Sequence, residues 1–161
     1  MGTQDEATFG LIPIITRAWA RRGSHPFVKI NHANKCTNVF GARSTRSFVY
    51  AFTKKKRQPQ FIRFLEKLRL RWGKFLLFVD NAKAHKGAMV QEYLRRHSKS
   101  VKLEYFPKCS PEENPTEQCW KPGRHALSNR VLPSLNAAKY HLRKTFDNTK
   151  ALPKMFKYLR D

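Results

Sequence analysis

Five consecutive apolar residues, Phe75-Leu76-Leu77-Phe78-Val79, stand between Lys74 and Asp80. A run that short and uninterrupted suits a strand buried on both faces, as found in parallel or mixed sheets covered by helices. From Val101 to Phe106, the apolar residues Val101, Leu103 and Tyr105 alternate with Lys102 and Glu104, the period of a half-buried strand. Phe48 to Thr53 is a third strand, with Phe27 to Ile30 and Thr37 to Phe40 as weaker candidates. Phe61, Leu65, Leu68 and Trp72 recur at helical spacing, which predicts an amphipathic helix over Gln58 to Trp72. Met89, Val90, Tyr93 and Leu94 predict another from about Lys86 to His97, and Ser134 suits the N-cap of a helix reaching Phe146. Strand-rich material first, then helices between strands, predicts an α/β protein with a mixed central sheet flanked by helices.

The 161 residues fit one domain, and 40% hydrophobic with 12% aromatic content supplies a core. Against 11 Asp and Glu stand 33 Lys and Arg, a formal charge of +22. That balance calls for a polyanionic partner, nucleic acid before all, because surface cations displace the counterions condensed on phosphates. A ribosomal or membrane-surface role would share the sign. The basic residues are dispersed except for Lys54-Lys55-Lys56-Arg57, which reads either as a backbone-phosphate contact or as a solvated loop. No apolar run approaches the roughly 18–20 residues of a membrane span, and Met1 to Glu6 lacks the features of a secretory signal. Cys36, Cys109 and Cys119 form neither a disulfide framework nor a zinc pattern, consistent with a reducing cytoplasm. Cys109 and Cys119 read as buried thiols, and Trp19, Trp72 and Trp120 as core.

With so few acids, each can be weighed. Asp80 follows the most apolar strand and precedes Asn81. Ligands of open α/β sheets bind outside such strand ends, although Asp-Asn also starts turns. Asn114-Pro115-Thr116-Glu117 reads as a helix start, where Glu117 is either a capping-box residue or a carboxylate projected into a cleft. Asp5, near the terminus, reads as mobile surface. His85, five residues past the strand, is a base, a ligand or a structural histidine. Pro122-Gly123 is expected to break or kink the helix that begins near Asn114.

Three blocks together resemble the catalytic domain of DDE transposases, of the mariner superfamily and its bacterial and archaeal insertion-sequence relatives. They are Asp5-Glu6 with Trp19, Gly23 and Pro26; Leu76 to Asp80 with Asn81 and His85; and Phe106-Pro107-Lys108-Cys109-Ser110-Pro111-Glu112-Glu113-Asn114-Pro115-Thr116-Glu117-Gln118-Cys119-Trp120. The last is the most specific, and 36 residues separate Asp80 from Glu117.

The resemblance implies a ribonuclease H-like fold over residues 1–161, without the helix-turn-helix region that precedes it in relatives. It implies Asp5, Asp80 and Glu117 as catalytic, metal-binding residues for two Mg²⁺ ions, with Mn²⁺ as a substitute. Asn81, His85 and Asn114 become supporting residues. Carboxylate oxygens suit such hard ions. The partners implied are DNA, as transposon ends and target, and a second copy of the chain, in the cytoplasm of a prokaryote at its nucleoid. Only Met1 to Gln4 precede Asp5, so a truncated strand, a core defect and a mobile Asp5 are expected. Two alternatives stand beside the enzyme: a remnant that binds nucleic acid without cleaving it, and a basic RNA-binding structural protein.

Overall fold

The computed structural model describes residues 1–29, 33–107, 114–148 and 150–153. Cys109 and the acids Glu112 and Glu113 lie outside these residues. A five-stranded sheet runs in the order β3-β2-β1-β4-β5, with β1 at Gly2–Gly10, β2 at Cys36–Ser44, β3 at Phe48–Thr53, β4 at Phe75–Val79 and β5 at Val101–Tyr105. The β1–β2 and β2–β3 pairs are antiparallel, whereas β1–β4 and β4–β5 are parallel, so the sheet is mixed as expected.

Asp5 is not on a mobile terminus. β1 pairs with β2 over its whole length, from Gly2 opposite Ser44 to Gly10 opposite Cys36, and this ladder fixes Asp5 in mid-strand. The start of β1 nevertheless carries a defect: the amide of Gln4 is buried, and among the described residues neither its Nε2 nor its Oε1 has a partner. Uncompensated burial of a polar group costs on the order of 1–3 kcal/mol.

Helix α1, Gln58–Trp72, buries Phe61, Phe64, Leu65 and Leu68. Each such side chain contributes about 1.5–3 kcal/mol when taken out of water. Gly73, at φ 69°, ends α1 at a positive φ that favours glycine, with its N–H on the carbonyl of Arg69. The helix expected from about Lys86 to His97 is α3 at Ala88–Arg96; an unexpected short helix, α2 at Lys83–Lys86, precedes it across Gly87. A 3₁₀ turn spans Pro115–Cys119; α4 follows at Trp120–Leu127 and α5 at Leu135–Phe146. The Ser134 side chain caps α5 by accepting from Ala137 N–H.

Pro122-Gly123 does not break α4. The α-helix begins only at Trp120, so Pro122 falls in its first turn, where the missing N–H has no helical acceptor to lose. Gly123 lets α4 approach α5: a Cβ there would lie 2.9 Å from the Phe146 ring.

The sheet divides two cores. On one face α1 and α3 cover Phe40, Ala42, Leu77 and Val79; on the other, α4 and α5 cover Ala7, Phe9 and Val39. Because the α4–α5 layer lies over β1 to β3, β4 is buried on one face only. Phe75, Leu77 and Val79 are buried, while Leu76 and Phe78 are half-buried. Phe27 to Lys29 form no strand and Ile30 is outside the described residues. Trp120 and Cys119 are core, but Trp19 is fully exposed and Phe27 is 84% exposed, against the expectation that both are structural.

Candidate active site

The parallel register Thr3 opposite Phe78, continued by two residues, sets Asp5 beside Asp80 at the carboxyl end of β4. The segment after β5 returns to the same end. There the Asn114 side chain accepts from Thr116 N–H and donates through Nδ2 to the Gln4 carbonyl at 2.9 Å. Thr116 Oγ1 donates to the Thr3 carbonyl at 2.9 Å. Two buried residues thus clamp the 3₁₀ turn onto β1, and Glu117, one position later, is exposed at its rim. Asn114 is the N-cap expected. Among the described residues Glu117 makes no return bond to it, so only half of a capping box is formed.

Asp5 faces the α4 layer. Its Oδ2 accepts from Trp120 Nε1 at 2.7 Å. The indole reaches that far because Gly41, the residue opposite Asp5 on β2, has no side chain: a Cβ would come within 2.4 Å of the ring. Burial raises the carboxyl pKa of Asp5 above its usual range, the Trp120 bond opposes this, and the negative charges of Glu117 and Asp80 add to it. The three acids therefore share one electrostatic environment.

Asp80 is tied to the opposite layer. Its Oδ1 accepts from His85 Nδ1 at 2.7 Å and from Ala82 N–H at 3.0 Å. The bond from His85 is the main reason its carboxyl lies below the usual range. His85 is 1% exposed, stacks on Phe61 at 4.2 Å between ring centres, and donates through Nε2 to Glu6 Oε1 at 3.0 Å. Burial alone disfavours the charged ring, but the bonds to Asp80 and Glu6 outweigh it and lift the pKa to about 9. Asn81 spans the strand ends, donating to the Phe106 carbonyl at 2.7 Å and accepting from Lys86 Nζ at 2.6 Å.

The basic cluster lies on the same rim. Asn38 Nδ2 donates to the Lys54 carbonyl and Thr53 Oγ1 to the Lys55 carbonyl, which shapes the loop. Lys56 Nζ reaches Glu6 Oε2 at 3.9 Å, and Lys56 and Arg57 line, with Lys83, a cavity of about 330 Å³.

Residues 2–144 match the family model of the DDE superfamily endonucleases. The chain belongs to this family. No curated protein sequence matches it. Among solved structures, the Mos1 transposase paired-end complex with left transposon end aligns at TM-score 0.70 and 17% identity, covering 91% of this chain and 47% of that one. The catalytic domain of Mos1 mariner transposase aligns at 0.65 and 15% identity, covering 91% and 69%. The simian T-cell lymphotropic virus intasome aligns at 0.59 and 14%, covering 89% and 47%. This family member has the ribonuclease H-like fold of the Mos1 catalytic domain, and it spans about half the length of the Mos1 chains in the paired-end complexes.

Carboxylate oxygens from three separate elements fit a hard divalent cation, and Asp80 Oδ2 has no partner among the described residues. Among the described residues no three His, Cys, Asp or Glu side chains are gathered tightly enough to hold a metal. Mg²⁺ is commonly bound by one or two carboxylates together with substrate phosphates rather than by a closed protein cage. Sequence reasoning missed Glu6, Trp120, Thr116 and Gly41 as parts of this site. The adjacency of Glu6 to Asp5, and of Trp120 three residues past Glu117, was visible, but not that Glu6 would bond His85 and Trp120 would bond Asp5.

Proposed function

We propose that residues 1–161 are the catalytic unit of a DNA transposase, cutting and joining phosphodiester bonds at transposon ends and in target DNA. Asp5, Asp80 and Glu117 are read as ligands of two Mg²⁺ or Mn²⁺ ions. The observation that carries this reading is the placement of Asp5 beside Asp80 at the carboxyl end of β4, with the turn that carries Glu117 bonded to β1 beside them. Divalent cations bound there would stabilise charge on the attacking and leaving oxygens of the phosphodiester. The chain's own residues orient the ligands: Trp120 holds one oxygen of Asp5, His85 and Ala82 hold one oxygen of Asp80, and Asn114 and Thr116 fix the turn that carries Glu117.

Lys54, Lys55, Lys56 and Arg57 are read as contacts to the DNA backbone. Lys56 and Arg57 border, with Lys83, a cavity of about 330 Å³ that no acid lines. Two copies acting on paired ends, at the nucleoid in a prokaryotic cytoplasm, complete the reading. Among the described residues no helix is long and apolar enough to cross a membrane.

Nicking of an end-labelled duplex, measured with Mg²⁺ or Mn²⁺ for the unaltered chain and Asp80→Ala, tests the proposal. Metal-dependent nicking lost in the variant supports it. A second reading, binding without cleavage, is favoured by the absence of a gathered three-ligand set among the described residues. Duplex binding with no nicking under either metal would establish it. Preference for RNA with no effect of metal would overturn both in favour of an RNA-binding structural protein.

A further inference from the structure

Glu6 is an acid on the face of β1 opposite to Asp5, and the nuclease reading leaves it without a role. Its side chain is 17% exposed. A carboxylate so placed needs a cation, and Glu6 has two: Lys56 at 3.9 Å on the rim and His85 at 3.0 Å in the interior. His85 is held through both ring and backbone. Phe61 stacks on its face at 4.2 Å, Tyr105 OH donates to its backbone carbonyl at 3.2 Å, and Nδ1 lies 2.7 Å from Asp80 Oδ1 and 3.3 Å from the Asp80 carbonyl. An imidazole offers one donor when neutral and two when charged. Only a partner at Nε2 that accepts a proton keeps Nδ1 available as a donor to Asp80 while Nε2 is also protonated. Glu6 is that acceptor.

We infer that Glu6 is a positioning residue for the metal site, acting through His85 to fix Asp80 Oδ1 so that only Oδ2 is presented to a cation. The inference rests on reading Asp80 as a metal ligand. With Oδ1 engaged by His85 and Ala82, Asp80 can bind a cation through one oxygen and cannot rotate into a bidentate chelate. The ion then keeps positions for water and phosphate oxygens, as Mg²⁺ prefers. Partners that orient a ligand in this way typically contribute 10–100-fold to metal affinity or activity. Lys56 extends the chain of charges to the basic loop, so the order Lys56, Glu6, His85, Asp80 runs from the proposed DNA contact to the metal ligand.

The test uses the full chain and Mn²⁺ alone as the probe, by isothermal titration calorimetry, with nicking assayed in parallel. Glu6→Gln keeps the shape and removes the charge. It is expected to weaken Mn²⁺ binding about 10-fold and to raise the Mg²⁺ concentration for half-maximal nicking, with little change in rate at saturating metal. His85→Asn supplies an amide donor near the position of Nδ1 and removes the link to Glu6. In that background Glu6→Gln is expected to have no further effect on Mn²⁺ affinity, the signature of action through His85. Additive losses in the double variant would overturn the inference, as would a lower melting temperature for Glu6→Gln with unchanged Mn²⁺ affinity. If Glu6→Gln does not fold, His85→Asn decides alone: unaltered Mn²⁺ affinity and nicking on adding Glu6→Asp to it support the inference, and a further loss overturns it. Coupled Mn²⁺ binding without nicking would sink the nuclease reading and leave the positioning role standing. Nicking by a chain whose Mn²⁺ affinity ignores Glu6 would do the reverse. No Mn²⁺ binding by the unaltered chain would end both.

Discussion

The carboxylate crevice and the segment from Ile12 to Lys29 both carry residues of the motif blocks, yet the chain treats them in opposite ways. In the crevice nearly every polar group is tied to another element: Asp5 to Trp120, Asp80 to His85, His85 to Glu6, Asn114 and Thr116 to β1. Among the described residues the segment is tied mainly at its first end, by bonds to the turn after α4. Ile14 bridges Ser128, and Asn129, in the left-handed conformation at φ 54°, exchanges hydrogen bonds with Thr16. Beyond that point Trp19 and Phe27 stand in solvent, and every charged residue from Ala7 to Leu65 is basic. Charged groups needed at fixed positions are held within the chain, whereas the apolar side chains of the segment gain nothing from it.

The largest effect that could break this contrast is catalytic. Asp80→Ala is expected to lower the metal-dependent nicking rate by more than about 100-fold, beyond what loss of an outer partner costs; a residual rate near that of the unaltered chain would remove the crevice from the chemistry. Next comes DNA binding. Replacing Lys54, Lys55, Lys56 and Arg57 together by Ala is expected to make the slope of log affinity against log salt shallower by about 3–4, since each phosphate contact contributes about 0.9. The parallel triple change at Arg17, Arg21 and Arg22 sharpens the comparison. A larger change of slope there would transfer the DNA contact from the crevice rim to the exposed segment.

Stability effects are smaller. Gly41→Ala forces a Cβ against the Trp120 ring at 2.4 Å and is expected to cost about 1–3 kcal/mol, read as a lower denaturant midpoint. Behind the crevice, Arg69 and then Tyr93 bond to Glu66 and lower its pKa to about 2, linking α1 to α3. A group depressed in the folded state contributes stability above its unfolded value near 4.5, which is lost as pH falls toward 2. Solvent screens this pair, so Glu66→Gln is expected to flatten the acid limb of the stability curve by less than about 1 kcal/mol. Trp19→Ser is expected to change stability by no more than about 0.5 kcal/mol, because the indole is fully exposed. A larger loss by thermal melting would mean the segment is packed after all.

Much of the framework was legible. The boundaries of α1 follow from the spacing of Phe61, Leu65, Leu68 and Trp72, and those of β3 from the run Phe48 to Thr53. The Ser134 cap was equally plain. What failed did so where a local signal met a non-local partner. Residues Gly2 to Gln4 have little strand preference, yet they open β1 because Cys36–Ser44 pairs along its length. Pro122 was read against a helix that starts near Asn114, but the clamp of Asn114 and Thr116 on β1 holds the first turn as a 3₁₀ helix and delays the α-helix to Trp120.

Residue order alone determined the class of fold and the basic character, because burial period and net charge are read directly from the chain; the three acids worth testing came from the motif blocks that resemble DDE transposases. Only the tertiary structure decided which partner each acid takes. Asp5 and Glu6 are neighbours in sequence, but alternation along a strand turns them to opposite faces, one toward Trp120 and the other toward His85. What lies on each face is set by packing across the sheet, which no spacing along the chain encodes.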